Sequence, residues 1–229
     1  MHSSFSALNS NQFSRKWAGT SNAVDPYISG YFFTKWDKIP ADLTTIINEA
    51  NTTHGVSGTG EIQNLLAGSC LAVTLPGGTV NKAEYMGLGG VKFAVPTNVE
   101  FDNTVTVKFL EFSTLPIFNL IHGWVRMIRD YSSGVSEALQ GKYTKSAYSC
   151  NMYYWTTKPG GVDIEYAACV SGMFPLKDPT DLLGADLSTY DKLEIDIDFN
   201  ADYIWHESWV YDKIVSLAAQ TGTISTYDQ

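Results

Sequence analysis

In LEIDIDFN, hydrophobic and polar residues alternate one by one: Leu193, Ile195, Ile197 and Phe199 interleave with Glu194, Asp196, Asp198 and Asn200. A period of two predicts a half-buried strand, here running on through ADYIW. The same alternation sets Val105, Val107 and Phe109 against Thr104, Thr106 and Lys108 within VEFDNTVTVKFLEF. Further strands are expected at PYISGYFFTKW, at CLAVTLPGG before a Pro-Gly-Gly turn, and at GGVKFAV. SAYSCNMYYW and VDIEYAACV flank TTKPGG as a β-hairpin.

One stretch has the helical period. In TLPIFNLIHGWVRMIRDYSSG the polar Asn119, His122, Arg126 and Arg129 form a narrow stripe at spacings of three and four, and apolar residues cover the rest. Thr114 is placed to cap it, Pro116 sits in the first turn where no donor is lost, and Gly134 suits the exit. The apolar surface exceeds what one flank of a sheet buries, so Phe118, Leu120, Trp124 and Met127 are candidates for a contact between subunits. Residues 41–66 change character, with a short helix at ADLTTIINEA, a Thr- and Gly-rich loop and a helical turn at EIQNLL; they read as an insertion. WVYDKIVSLAAQ predicts a short closing helix, and GMFPLKDPTDLLGADLSTYD a loop. Many strands with one long helix argue for a mainly β fold: two packed antiparallel sheets forming a barrel or sandwich with one flanking α-helix. Residues 1–25, rich in Ser and Asn, form an N-terminal arm, 26–213 the domain with its insertion, and 214–229 a C-terminal tail.

Charge sharpens this picture once it is located. The net charge is −9 over 229 residues, and ten acidic residues between Asp178 and Asp212 face Lys192 alone, so the whole imbalance lies in that segment. Such a surface does not grip nucleic acid, which needs Lys and Arg against phosphate. It does not stop nucleic acid from passing. No apolar run reaches the length of a membrane span, and MHSSFSALNSNQF lacks the order of a signal peptide, so a soluble protein made in a cytoplasm is expected. Cys70, Cys150 and Cys169 are odd in number and lack metal spacing, as reduced, mostly buried thiols would.

Motifs for chemistry fail one by one. Asp196, Asp198, Asn200 and Glu207 occupy calcium-loop positions, but Ala201 stands where the turn requires glycine and the residues alternate as a strand. GVSGT and GVSEA lack the last glycine of a nucleophile elbow, and GLGG at Gly87 lacks the Lys and Ser/Thr of a phosphate loop. The four histidines have no ligand-spaced neighbours. No catalytic residue, metal site or cofactor is expected.

The order of elements resembles the tail tube proteins of contractile-tailed bacteriophages, relatives of the Hcp tube protein of type VI secretion. The matching residues are Leu75, Pro76 and Gly77 closing a strand; Phe101 and Asp102 before Val105, Thr106 and Val107; Tyr143, Lys145, Ser146 and Ala147; Gly172, Met173, Phe174 and Pro175; and the alternating strand ending at Tyr203. The likeness runs from about Pro26 to Trp205. The arm and the 41–66 segment are larger than a minimal tube subunit needs.

The resemblance implies a virion protein of the tail tube that is not an enzyme. Its copies would form hexameric rings, stacked into a tube whose channel passes DNA during ejection. Its partners would be itself, the tail sheath, baseplate and tail-terminator proteins, with DNA only in transit and no membrane. Glu194, Asp196 and Asp198 become candidates for the channel lining, where carboxylates would keep DNA sliding. Alternatives are a tube-initiating baseplate protein, an Hcp-like tube of a secretion or bacteriocin particle, and, from another class, a β-sandwich module that binds carbohydrate or cleaves glycosides.

Overall fold

The alternating acidic segment is a strand, Glu194–Asn200, in a fold built from two antiparallel sheets. The structure, a computed structural model, describes residues 32–49, 56, 58–87, 90–128, 144–157, 164–182 and 192–220. In chain order the elements are β1 (Phe32–Asp37), α1 (Asp42–Glu49), α2 (Thr59–Ser69), β2 (Cys70–Thr74), β3 (Gly78–Met86), β4 (Lys92–Phe101), β5 (Thr104–Leu110), α3 (Pro116–Ile128), β6 (Cys150–Thr157), β7 (Ile164–Pro175), β8 (Glu194–Asn200), β9 (Tyr203–Trp205) and α4 (Ser208–Gln220). The arm at 1–25, most of the expected loop at 51–60 and the expected helix exit at Gly134 lie outside the described residues; the last residues of that loop, Thr59 and Gly60, begin α2.

Strand β7 joins the two sheets. Its first part pairs with β6, which pairs with β1, while Ser171 to Cys169 also carry β9. Its last residues, Phe174 and Pro175, pair instead with β8, which continues to β5 and β2. The partner changes between Met173, still opposite Cys150 of β6, and Phe174, just after an irregular step at Gly172, whose φ of +70° suits glycine. Opposite it, Ala201 and Asp202 carry the chain from β8 in one sheet to β9 in the other, so LEIDIDFNADYIW is two strands with a corner between them. A Cβ on Gly172 would lie 2.1 Å from the Asp202 Oδ2, and the Asp202 amide donates to the Ser171 carbonyl at 3.0 Å.

The core lies between the sheets. Trp36, Met152 and Val170 meet Val107, Phe109, Ile195, Ile197 and Phe199, with Trp36 against Phe199 at 5.5 Å between ring centroids. Helix α3 closes it, and α1 lies on the far side of α3. Leu43 and Ile47 of α1 and Ile62 and Leu66 of α2 are fully buried in this same core, so the segment read as an insertion is part of the hydrophobic interior. On the outer face of the other sheet, Val210 and Ile214 of α4 cover Tyr153, Trp155 and Cys169.

Helix α3 starts at Pro116, as its sequence suggests, but its cap is not Thr114. The Glu111 carboxylate accepts the amides of Phe112 at 2.9 Å, Ile117 at 3.2 Å and Phe118 at 2.6 Å, the last two being donors the first turn cannot bond internally. On its polar stripe, His122 Nδ1 sits 2.7 Å from Asp178 Oδ2 and its ring stacks on Phe118. Burial alone would raise the Asp178 carboxyl; the Thr180 hydroxyl and amide and the adjoining His122 outweigh it, and the net shift is downward. The pair fastens the helix to the turn after β7.

Candidate functional site

The two sheets leave one acidic face open. On β8, Ile195, Ile197 and Phe199 point into the core while Glu194, Asp196 and Asp198 are exposed. Register with β5 sets Lys108 opposite Asp196 and Thr106 opposite Asp198. Lys108 Nζ lies 3.3 Å from Glu194 and 3.7 Å from Asp196, and the Thr106 hydroxyl donates to Asp198 at 2.6 Å. One cation faces three carboxylates, so the face keeps its negative sign. These side chains are parallel teeth on a strand, not a cage. Among the described residues no group of three or more His, Cys, Asp or Glu is gathered to hold a metal ion.

The helix candidates are placed differently from the expectation. Leu120 and Trp124 are fully buried, Met127 is buried and Phe118 half-buried within the subunit itself. The surplus apolar surface of α3 faces α1, approached so closely that a Cβ on Gly123 would meet Ile46 Cγ2 at 2.1 Å. The cover comes from the segment that read as an insertion.

The unsatisfied apolar surface lies instead on a ribbon of which the sequence announced only the second strand, at GGVKFAV. Strands β3 and β4 form a two-stranded ribbon separate from both sheets, and among the described elements none packs substantially on it. At ~3.4 Å per residue it extends about 30 Å. All ten residues of β4 are exposed. Of the sixteen large hydrophobic residues exposed among those described, eight are on this ribbon: Val80, Tyr85, Met86, Val91, Phe93, Val95, Val99 and Phe101. Its apolar side changes along its length. Near the body Val80 faces Val99; beyond the bulge, where one residue of β3 opposes two of β4, the pairs Ala83–Val95 and Tyr85–Phe93 carry the apolar character on the opposite face. Gly87 and Gly90 of GLGG serve this end of the ribbon: Gly90 has a φ of +77°, and Phe93 packs so tightly on Gly87 that a Cβ there would be 2.6 Å from the ring. GTVNKAEYM is polar enough to pass for a loop. The signal that could have found it is the long spacing between two strand-like runs with Gly-rich residues between them.

An open groove lies between β7 and α4, with a volume of about 510 Å³, walled by Tyr166 and Tyr211 and edged by Glu165, Glu207 and His206. The Tyr166 hydroxyl is 3.2 Å from His206 Nδ1. No helix of the described residues is long and apolar enough to cross a membrane.

Solved structures to which the chain is similar include components of contractile injection systems. One is the sheath/tube terminator of the extracellular contractile injection system PVC, at 15% identity, covering 81% of this chain and 99% of that one with a TM-score of 0.45. Others are from the PVC sheath-tube complex (14% identity, 87% and 97% covered, TM-score 0.44) and the anti-feeding prophage baseplate (9% identity, 80% and 95% covered, TM-score 0.46). No protein-family model matches the sequence, and no curated protein matches it.

Proposed function

We propose that this chain is a structural subunit of a tail tube, which assembles with copies of itself into hexameric rings that stack around a channel for DNA. The observation that carries the reading is the β3–β4 ribbon. A two-stranded hairpin is marginal in water, and this one exposes eight large apolar residues, so it needs a neighbour to lie against. The open acidic face supports the rest. Glu194, Asp196 and Asp198 would line the channel, since DNA carries about one charge per ~1.7 Å and would be held by a basic wall. The sheath, baseplate and tail terminator would meet other surfaces of the ring, in a virion tail. Among the described residues the histidine–carboxylate pair His122 with Asp178 fastens α3 to the turn after β7.

The test is assembly of the purified protein, followed by sedimentation and negative-stain electron microscopy as concentration is raised. Rings and short tubes are expected. A protein that remains monomeric at every concentration, with the full chain folded, would overturn the reading.

A further inference from the structure

The ribbon and the groove differ in kind. One projects and the other recedes. The last two rungs of the ribbon pair Tyr85 with Phe93 and Met86 with Lys92, and the first three of these side chains are 59%, 57% and 74% exposed. At this end one face of the ribbon offers an apolar knob, Tyr85 with Phe93, and the other face carries Met86 and the Lys92 ammonium. The groove offers the converse: its lining includes the rings of Tyr166 and Tyr211 and the carboxylates of Glu165 and Glu207, the latter also accepting from the Trp209 indole at 2.8 Å. The aromatic wall continues inward, Tyr166 against Tyr154 at 6.1 Å and Tyr154 against Phe32 at 5.9 Å, so it is backed by the sheet and is not a loose side chain.

We infer that the groove between β7 and α4 is the receptor for the ribbon end of a second copy of this chain, with Phe93 and Tyr85 of one ribbon face on Tyr166 and Tyr211 and Lys92 of the other face reaching Glu165 and Glu207. This rests on the self-assembly reading above and names its contact. A knob and a receptor at different places on one chain make a heterologous contact: each joined pair still has one free ribbon and one free groove. Such a contact ends only by closing a ring or runs on as a filament. A surface that used the same patch on both copies would stop at a dimer. Aromatic faces and paired opposite charges also bring specificity, because a wrong partner leaves the carboxylates desolvated without a cation.

The experiment places a photoreactive benzoylphenylalanine at position 93 of the full-length chain and maps cross-links by mass spectrometry, beside charge-reversal variants followed by sedimentation velocity. Cross-links from position 93 to the segments holding Tyr166 or Tyr211 of another copy are expected. Lys92→Glu should weaken assembly by about tenfold or more, the order seen when one partner of an interfacial charge pair is reversed. The double variant Glu165→Lys/Glu207→Lys should do the same, and the triple variant should regain most of the loss. Mixing the Lys92→Glu protein with the Glu165→Lys/Glu207→Lys protein should give complexes through the complementary reversed contact. Rings that form at the parental concentration in all variants, with cross-links elsewhere, would overturn this contact and leave the tube reading standing. A chain that neither assembles nor cross-links would overturn both.

Discussion

Gly123 of α3 and Ile46 of α1 touch so closely that a Cβ on the glycine would lie 2.1 Å from Ile46 Cγ2. Glycine in a helix interior costs about 1 kcal/mol relative to alanine, so propensity favours Gly123→Ala. Packing opposes it, since inserting a methyl where no space exists costs about 1–3 kcal/mol. The packing effect should win, with the variant less stable by up to about 2 kcal/mol in denaturant unfolding. Ile46→Ala, made in the Gly123→Ala background, should recover part of the loss. A Gly123→Ala protein more stable than the parent would show that the helices do not approach this closely.

Glu111 gives a second test, because it caps α3 from six residues away through space. Three amides converge on its carboxylate, and the residue is almost fully buried. Glu111→Ala should cost about 2 kcal/mol, the upper range for loss of a cap, because the freed donors are poorly placed for water. Thr114→Ala should change stability by less than about 0.5 kcal/mol, as for other exposed positions. Equal effects of the two substitutions on the denaturation midpoint would return the cap to Thr114.

On the acidic face, folding and transport should separate. Glu194, Asp196 and Asp198 are exposed, and the ion pairs of the first two with Lys108 are of the surface kind, worth up to about 1 kcal/mol. Changing all three to Lys should leave the fold intact by circular dichroism. Particles built with the triple variant should retain DNA and eject it more slowly, and the retention should weaken as salt is raised. Normal ejection from particles that assemble fully would remove this face from the channel.

Alkaline pH should weaken the fold. Burial pushes the Cys70 and Cys169 thiols from 9.0 up to about 11, moves Cys150 upward as well, and pushes Tyr153 from 10.0 up to about 12. A group whose folded value is raised above its unfolded value contributes fully below the unfolded value. That contribution is lost as pH rises towards the folded one. Stability should therefore be flat near neutrality and fall between about pH 9 and pH 11. The urea midpoint measured across that range checks the sign. Substituting Cys169 by Ala should make the decline shallower, and an unchanged slope would remove the thiol from the account.

How much of this was legible depends on how local the cause is. In β8 the side chains must alternate because a strand has a period of two, and only one face meets the core, so LEIDIDFN announces both the strand and its exposed carboxylates. The start of α3 at Pro116 and the β6–β7 hairpin are local in the same sense. Strand β3 is not. GTVNKAEYM has no core on either face, so no single period sorts its residues, and its apolar side changes at a bulge that only pairing with β4 creates. The split of the last alternating run into β8 and β9 was hidden for a related reason: Ala201 and Asp202 turn a corner defined by Gly172, thirty residues away in another strand.

The sequence by itself determined that α3 must be covered nearly all round and that the excess charge lies in one segment, because both follow from composition and short-range period. Only the tertiary structure decided what does the covering. Leu120, Trp124 and Met127 are buried by the subunit's own sheets and α1, while the need for a neighbour passes to Tyr85, Phe93 and the rest of the ribbon. Burying apolar surface is favourable in proportion to its area and has no direction. A sequence can therefore show how much surface must leave water, but which surface meets it is settled by chain connectivity and close packing in three dimensions.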